Sequence, residues 1–278
     1  MNSYTQLDQQ SVLKYLFHPR QEALLAKPAD SYNITITVDD NVSLGCRFFL
    51  KSVDAPTLLY FHGNGETVND YSHIAKLYAE FGINLFVATY RGYGWSTGTP
   101  TVTAMVKDCE IISQEFTKTL DTMSITGPAL VMGRSLGCIS AIELCYDSPE
   151  KFKGLIIESG FADTLPLLSQ IGVDIDAHHL SEAEGFGNLD KITQIKLPTL
   201  ILHGASDELI SIAQAEKLQA FSGARSKKFF VIPGANHNEM ISCGGEHYFS
   251  TIKTFINEIS GQNTWRQKRR KYRKSGDK

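Results

Sequence analysis

Along the 278-residue chain, apolar positions fall into short uninterrupted runs separated by longer, more mixed segments. The runs are TLLYF (57–61), INLFVAT (83–89), ALVMG (129–133), GLIIES (154–159), TLILH (199–203) and KFFVI (228–232). A strand that packs helices on both faces of its sheet has no polar side, so runs of this length predict buried parallel strands. Helical spacing is found in between, over 67–81, 101–119, 136–147, 211–221 and 244–259. Ahead of the runs, NITITV (33–38) and SLGCRFFL (43–50) alternate enough to form a hairpin, with Asp39, Asp40 and Asn41 supplying the turn. The expectation is an α/β protein with a mostly parallel eight-stranded sheet and helices on both faces.

Two segments stand outside this rhythm. Residues 1–27 read as a helical lead-in, weakly periodic at Val12, Leu13, Leu16 and Phe17. The interval between GLIIES and TLILH is too long for a plain connection. Residues 162–187 within it are expected to form a small cap, with LPLLSQIGVDI as its amphipathic piece. Leu165, Leu167, Leu168 and Ile171 then either contact substrate or form the cap's own core.

Candidate chemistry begins at Gly133-Arg134-Ser135-Leu136-Gly137, a G-x-S-x-G placed where a strand run meets an apolar helix. Reversing a strand into a helix within a few residues strains the serine backbone, and the flanking glycines leave room for the turn. Ser135 is thereby exposed beyond the strand end as a nucleophile, and the Leu136 N–H opens a helix that favours negative charge. Such a serine needs a base. Of the histidines, His237 in PGANHNEM follows the last strand run, where loops at carboxyl ends converge. His62 and His203 each sit inside a strand end before a glycine and read as structural. Asp207 in HGASDELI is the expected partner of the imidazole, with Glu158 and Asp163 as competitors and Glu208 expected to point elsewhere. The second oxyanion donor is expected from the loop His62-Gly63-Asn64-Gly65-Glu66, at the Asn64 N–H.

FHGNGE, YRGYGWSTGTP, GRSLG, HGASDELI and GANHNEM follow one another in an order that resembles the α/β-hydrolase superfamily over about residues 30–260. Within it the chain looks like the small branch near serine aminopeptidase-like and acyl-protein-thioesterase-like hydrolases. The resemblance implies hydrolysis of esters, thioesters or amides with no cofactor and no metal. It also implies that the Arg91–Ser96 turn is structural, with Tyr93 lining the crevice; Tyr93, and from the cap Leu165 and Leu168, are the expected substrate contacts. Prolyl-peptidase relatives usually continue the elbow with a further glycine, where this chain has Cys138, so esterase chemistry is expected ahead of peptidase chemistry. The expected substrate is a small molecule carrying an acyl group. The readings kept beside it are a membrane-recruited lipid or acyl-protein hydrolase and a non-catalytic binding protein on the same fold.

Charge adds one feature. Residues 265–278 (WRQKRRKYRKSGDK) carry a balance of +7, leaving −10 on the rest. This tail is expected to be disordered outside a single domain of residues 1–264, with a weak contact to anionic membrane as its sharper use. No nucleic-acid partner is expected. Five scattered cysteines without a CxxC suit a reducing, cytoplasmic setting. Gly92, Gly94 and Gly98 have the wrong spacing for a dinucleotide loop, GNGETVND lacks the lysine of a phosphate loop, and His178-His179 with Glu182 lacks further ligands for a metal.

Overall fold

The computed structural model describes residues 4–261, and the basic tail expected over 265–278 lies outside them. After a short helix α1 (Gln10–Leu16), the hairpin β1 (Ser31–Asp39) and β2 (Val42–Phe49) turns at Asp40-Asn41, where Asn41 takes φ +62°. Then follow β3 (Thr57–Phe61), α2 (Tyr71–Glu80), β4 (Asn84–Ala88), α3 (Val102–Thr122), β5 (Ala129–Arg134), α4 (Cys138–Asp147) and β6 (Leu155–Glu158). The remainder is α5 (Thr164–Gln170), α6 (Asn188–Gln194), β7 (Thr199–Gly204), α7 (Ile212–Phe221), β8 (Lys227–Ile232) and α8 (Met240–Ile259).

The strands form one eight-stranded sheet in the order β1-β2-β4-β3-β5-β6-β7-β8. β1 and β2 pair antiparallel with each other, β2 pairs antiparallel with β4, and the rest pair parallel. Successive side chains of each buried run point to opposite faces. Leu58, Tyr60, Leu85, Val87, Leu130, Met132, Leu200 and Leu202 therefore join a core closed by α2 and α8. Leu59, Phe61, Phe86, Ala88, Val131 and Ile201 join the opposite core, closed by α1, α3, α4 and α7. Two cores on one sheet explain why these runs carry almost no polar residue.

Some expectations need adjustment. The lead-in is helical only over α1; beyond it the chain runs extended past Gly94, exchanging Gly94 N–H to Arg20 O (2.9 Å) and Glu22 N–H to Gly94 O (2.8 Å). The last helix begins earlier than its apolar spacing implied, and Gly245 breaks its helical geometry at φ +49°, ψ −132°. In the interval expected as a cap, Val173, Leu180 and Phe186 are buried in the α4-side core, and the Glu182 carboxylate receives the N–H groups of Thr164 and Leu165 at the start of α5. Glu182 is thus spent on a helix terminus, a common use of a carboxylate. No helix among the described residues is long and apolar enough to cross a membrane.

From β3 the chain moves outward to β4, then returns across to β5 on the other side of β3. The connections α2 and α3 lie on opposite faces, so the carboxyl ends of β3 and β5 form a topological switch point, where folds of this kind open a crevice. The turn leaving β5 there is crowded. A Cβ on Gly133 would lie 2.4 Å from Gly137 O, and one on Gly137 would lie 2.2 Å from Phe61 O. Backbone cannot yield as a flexible side chain can. Gly133→Ala is expected to cost about 2–3 kcal/mol, lowering the melting temperature by roughly 5–10 °C in calorimetry; an unchanged melting temperature would show that the turn relaxes freely.

Candidate active site

Ser135 follows β5 directly and takes φ +52°, in the left-handed region that a non-glycine residue rarely adopts. A 3₁₀ turn over Ser135–Gly137 leads into α4. Ser135 Oγ lies 2.9 Å from His237 Nε2, and His237 Nδ1 lies 2.8 Å from Asp207 Oδ2. The three residues come from the loops after β5, β7 and β8, and the structure brings them together across more than a hundred residues of sequence. Ser135 is 7% exposed and His237 8% exposed, so both are largely shielded from bulk solvent.

Asp207 is anchored independently of the imidazole. Its Oδ1 accepts the N–H groups of Leu209 (3.0 Å) and Ile210 (2.8 Å). Burial works to raise its pKa, but the hydrogen bond and charge of His237, with the Ile210 N–H, outweigh burial and hold it below the ordinary carboxylate value. The competing carboxylates are engaged elsewhere. Asp163 pairs with Lys217 at 2.6 Å, and Glu158 accepts the Tyr248 hydroxyl at 2.5 Å.

The other strand-end histidines hold loops. His203 Nε2 lies 2.8 Å from Ile210 O, an acceptor only, so that nitrogen carries the proton; burial lowers its pKa and keeps it neutral. His62 is fully buried, with Nδ1 2.8 Å from Gly63 O and Nε2 3.0 Å from Thr89 Oγ1, and burial lowers its pKa too. The Cys138 thiol beside the elbow is pushed up to about 12 by burial and stays protonated.

Leu136 and Asn64 occupy the two positions expected to donate to an anion, the first at the start of the helical turn and the second in the loop after β3. The Asn64 side chain is committed inward. Its Oδ1 accepts from the Tyr93 hydroxyl (2.6 Å) and the His18 N–H (2.9 Å). Its Nδ2 donates to Leu16 O (3.0 Å) and faces His18 Nδ1 (2.8 Å). The N-terminal segment therefore clamps this loop, and Arg20 reinforces it with Nη2 at 2.6 Å from both carboxylate oxygens of Asp70. Sequence reasoning missed His18 and Arg20, because HPR carries no periodicity and its partners are 46 and 50 positions away.

Two substrate contacts are corrected by the structure. Tyr93 is 0% exposed and its hydroxyl is tied to Asn64 and His18, so it braces the loop from behind and does not line the crevice. Leu168 is 0% exposed and belongs to the α4-side core; Leu165 is half-buried against that core. A cavity of about 140 Å³ does lie between α5 and the loop carrying Asp207, lined by Phe161, Leu167, Gln170, Leu209 and Ile210 among others.

A serine, a histidine and an aspartate hydrogen-bonded in series at the switch point of a doubly covered sheet define a class of α/β proteins. Comparison with known proteins agrees. A family described as serine aminopeptidase, S33, matches residues 54–171. Protein bem46 of Schizosaccharomyces pombe is 32% identical over 233 residues, covering 81% of this chain and 76% of that protein. The α/β-hydrolase domain-containing protein WAV2 of Arabidopsis thaliana is 26% identical over 220 residues, covering 74% and 71%. Among solved structures, the Pyrococcus furiosus esterase Pf2001 superposes with a TM-score of 0.70 at 17% identity, covering 86% of this chain and 98% of that one. The chain belongs to the α/β-hydrolase superfamily.

Two outcomes follow from this geometry. Asn64→Ala removes a side chain with four polar contacts, each worth about 1 kcal/mol net at most sites. It is expected to destabilise by about 1–3 kcal/mol and to speed amide hydrogen exchange or proteolysis around residues 16–22; unaltered exchange there would refute the clamp. Asp207, with its pKa held down in the fold, binds fewer protons folded than unfolded. Its contribution is present above the ordinary carboxylate range and drains as pH falls. Urea midpoints of Asp207→Asn are therefore expected to fall less steeply than those of wild type between pH ~5 and ~3; parallel slopes would contradict this.

Proposed function

We propose that the chain is a serine hydrolase that cleaves carboxylic esters or thioesters through an acyl-enzyme. The observation that carries the reading is the unbroken hydrogen-bonded series Ser135–His237–Asp207 at the crevice. Ser135 Oγ attacks the acyl carbon while its proton passes to His237 Nε2. Asp207 Oδ2 holds the proton on Nδ1 and so fixes the tautomer that can accept at Nε2. The negative charge gathered on the carbonyl oxygen is met by the N–H groups of Leu136 and Asn64, where a single donor is worth roughly 3–4 kcal/mol. His237 then delivers its proton to the leaving oxygen or sulfur as the bond to the acyl carbon breaks. Water repeats the sequence: it gives a proton to Nε2, bonds to the acyl carbon, and leaves a free acid while Ser135 Oγ recovers the proton.

The likeness to an esterase structure supports the ester reading, and the family's aminopeptidase description favours an amide. The carboxylates of Glu66, Glu158, Asp163 and Asp207 are each committed to a cation, a hydroxyl or the imidazole, which leaves none of these four to receive a substrate ammonium. Ester hydrolysis is therefore placed first.

A fluorophosphonate probe tests the nucleophile. Wild type is expected to label, Ser135→Ala not to label, and His237→Ala to label far more slowly, with kcat on a p-nitrophenyl ester down by about 10⁶ for the serine variant. A parallel assay with aminoacyl p-nitroanilides ranks ester against amide. Folded wild type that neither labels nor hydrolyses any ester, thioester or anilide would sink the reading and favour a binding protein on the same fold.

A further inference from the structure

Arg134, the variable residue of the elbow, is the last residue of β5 and adjoins Ser135, yet it is only 8% exposed. Its guanidinium reaches two loops and the end of a strand at once. Nη1 donates to Glu66 Oε1 at 2.6 Å, in the loop after β3. Nη2 donates to the carbonyl of His237 at 3.0 Å and to Asn238 Oδ1 at 2.9 Å, in the loop after β8. Nε lies 3.4 Å from Glu158 Oε1, at the end of β6.

Glu66 relays the first of these contacts. Its second oxygen accepts the Gly63 N–H at 2.6 Å and the Tyr71 hydroxyl at 2.8 Å, so the carboxylate closes the turn that contains Asn64. The fit around the guanidinium is close: a Cβ on Gly63 would stand 2.4 Å from Nη1. Burial opposes the charge of Arg134, but Glu66 and Glu158 outweigh it and hold the guanidinium above its ordinary pKa; Glu66 is correspondingly held below its own. The group is therefore a permanent, planar cation whose donors diverge toward the loop after β3 and the loop after β8.

We propose that Arg134 is a positioning residue, which together with Glu66 sets the span between the His237 imidazole and the Asn64 N–H so that both meet the acyl group bound to Ser135. The inference rests on the hydrolase reading above. Rigid support for its own sake would need only a filled space. This guanidinium instead holds the backbone carbonyl of the residue bearing the base, and the carboxylate that shapes the turn bearing the oxyanion donor. A lysine keeps the charge but concentrates it on one nitrogen, which cannot span both loops as a fork does.

The experiment uses Arg134→Lys, Glu66→Gln and the double variant, with melting temperature, fluorophosphonate labelling and steady-state kinetics on one p-nitrophenyl ester. Wild type must first label at Ser135 and turn over; failure there overturns the hydrolase reading and not the role of Arg134. Given an active wild type, Arg134→Lys is expected to lower kcat by about 10²-fold, the scale of an ångström's misplacement, with KM within about threefold. Glu66→Gln is expected to lower kcat by about tenfold or more, and the double variant to be no slower than Arg134→Lys alone, as coupled partners require. A lower melting temperature with kcat within threefold of wild type would show a structural role only and overturn the proposal. Multiplying losses in the double variant would overturn the coupling. Should Arg134→Lys fail to fold, the split between kcat and KM in Glu66→Gln decides alone.

Discussion

The turn from β5 into the helix behind it governs the rest of this structure. A strand and a helix share almost no backbone room when one follows the other directly, and here the junction is taken by a serine at φ +52°. A non-glycine residue in that region costs of order 1–3 kcal/mol, and it persists only where the surroundings over-determine it. They do so here. Gly137 passes within contact of the end of β3, and Gly133 within contact of Gly137, so any relaxed version of the turn would need a wider sheet. The sheet cannot widen, since β5 is paired in full register with β3 on one side and β6 on the other.

From that fixed point the neighbouring loops take their positions. The loop after β3 is held from outside by the N-terminal segment and from inside by a carboxylate, while the loop after β8 is held through a backbone carbonyl. The outer pair between Arg20 and Asp70 is exposed and worth little by itself. The neutral bonds around Asn64 saturate its side chain, and those to Leu16 and Tyr93 are part-buried, so they carry more of the clamp than the outer pair does. Folding the lead-in onto the sheet is thus part of building the crevice, not an addition to it.

Much of this was legible in the sequence, and for a physical reason. Strands buried on both faces tolerate no polar positions, so six apolar runs stood out unaided, and the serine, aspartate and histidine each lay just past the end of one. Contacts that depend on tertiary neighbours were not legible. Tyr93 was placed at the crevice by the likeness of its turn to the family, which says nothing of where the hydroxyl ends; it found Asn64 instead. Leu168 sits at a helical spacing that serves a pocket or a core equally well, and the core claimed it. Arg134 was visible only as the interchangeable letter of a motif, since nothing local tells that its donors end on residues 66 and 237. The break at Gly245 escaped for the opposite reason: apolar spacing continues through it, and only backbone geometry records it.

The charges beside Ser135 complete the physical picture. Glu66 and Glu158 both face Arg134 beside Ser135, and free negative charges there would oppose any oxyanion formed on a substrate. Glu66 is ionised but neutralised at 2.6 Å by Arg134. Burial pushes the Glu158 carboxyl upward from its ordinary pKa, against the pull of Arg134 and the Tyr248 hydroxyl. Arg134 thus faces both acids, donating to Glu66 and lying 3.4 Å from Glu158. Asp207 lies apart from both, its charge directed at the imidazole and at two backbone N–H groups. Pairing these carboxylates lowers the opposing field where the proposed chemistry would place its negative charge, and the pairs are in place before that charge appears.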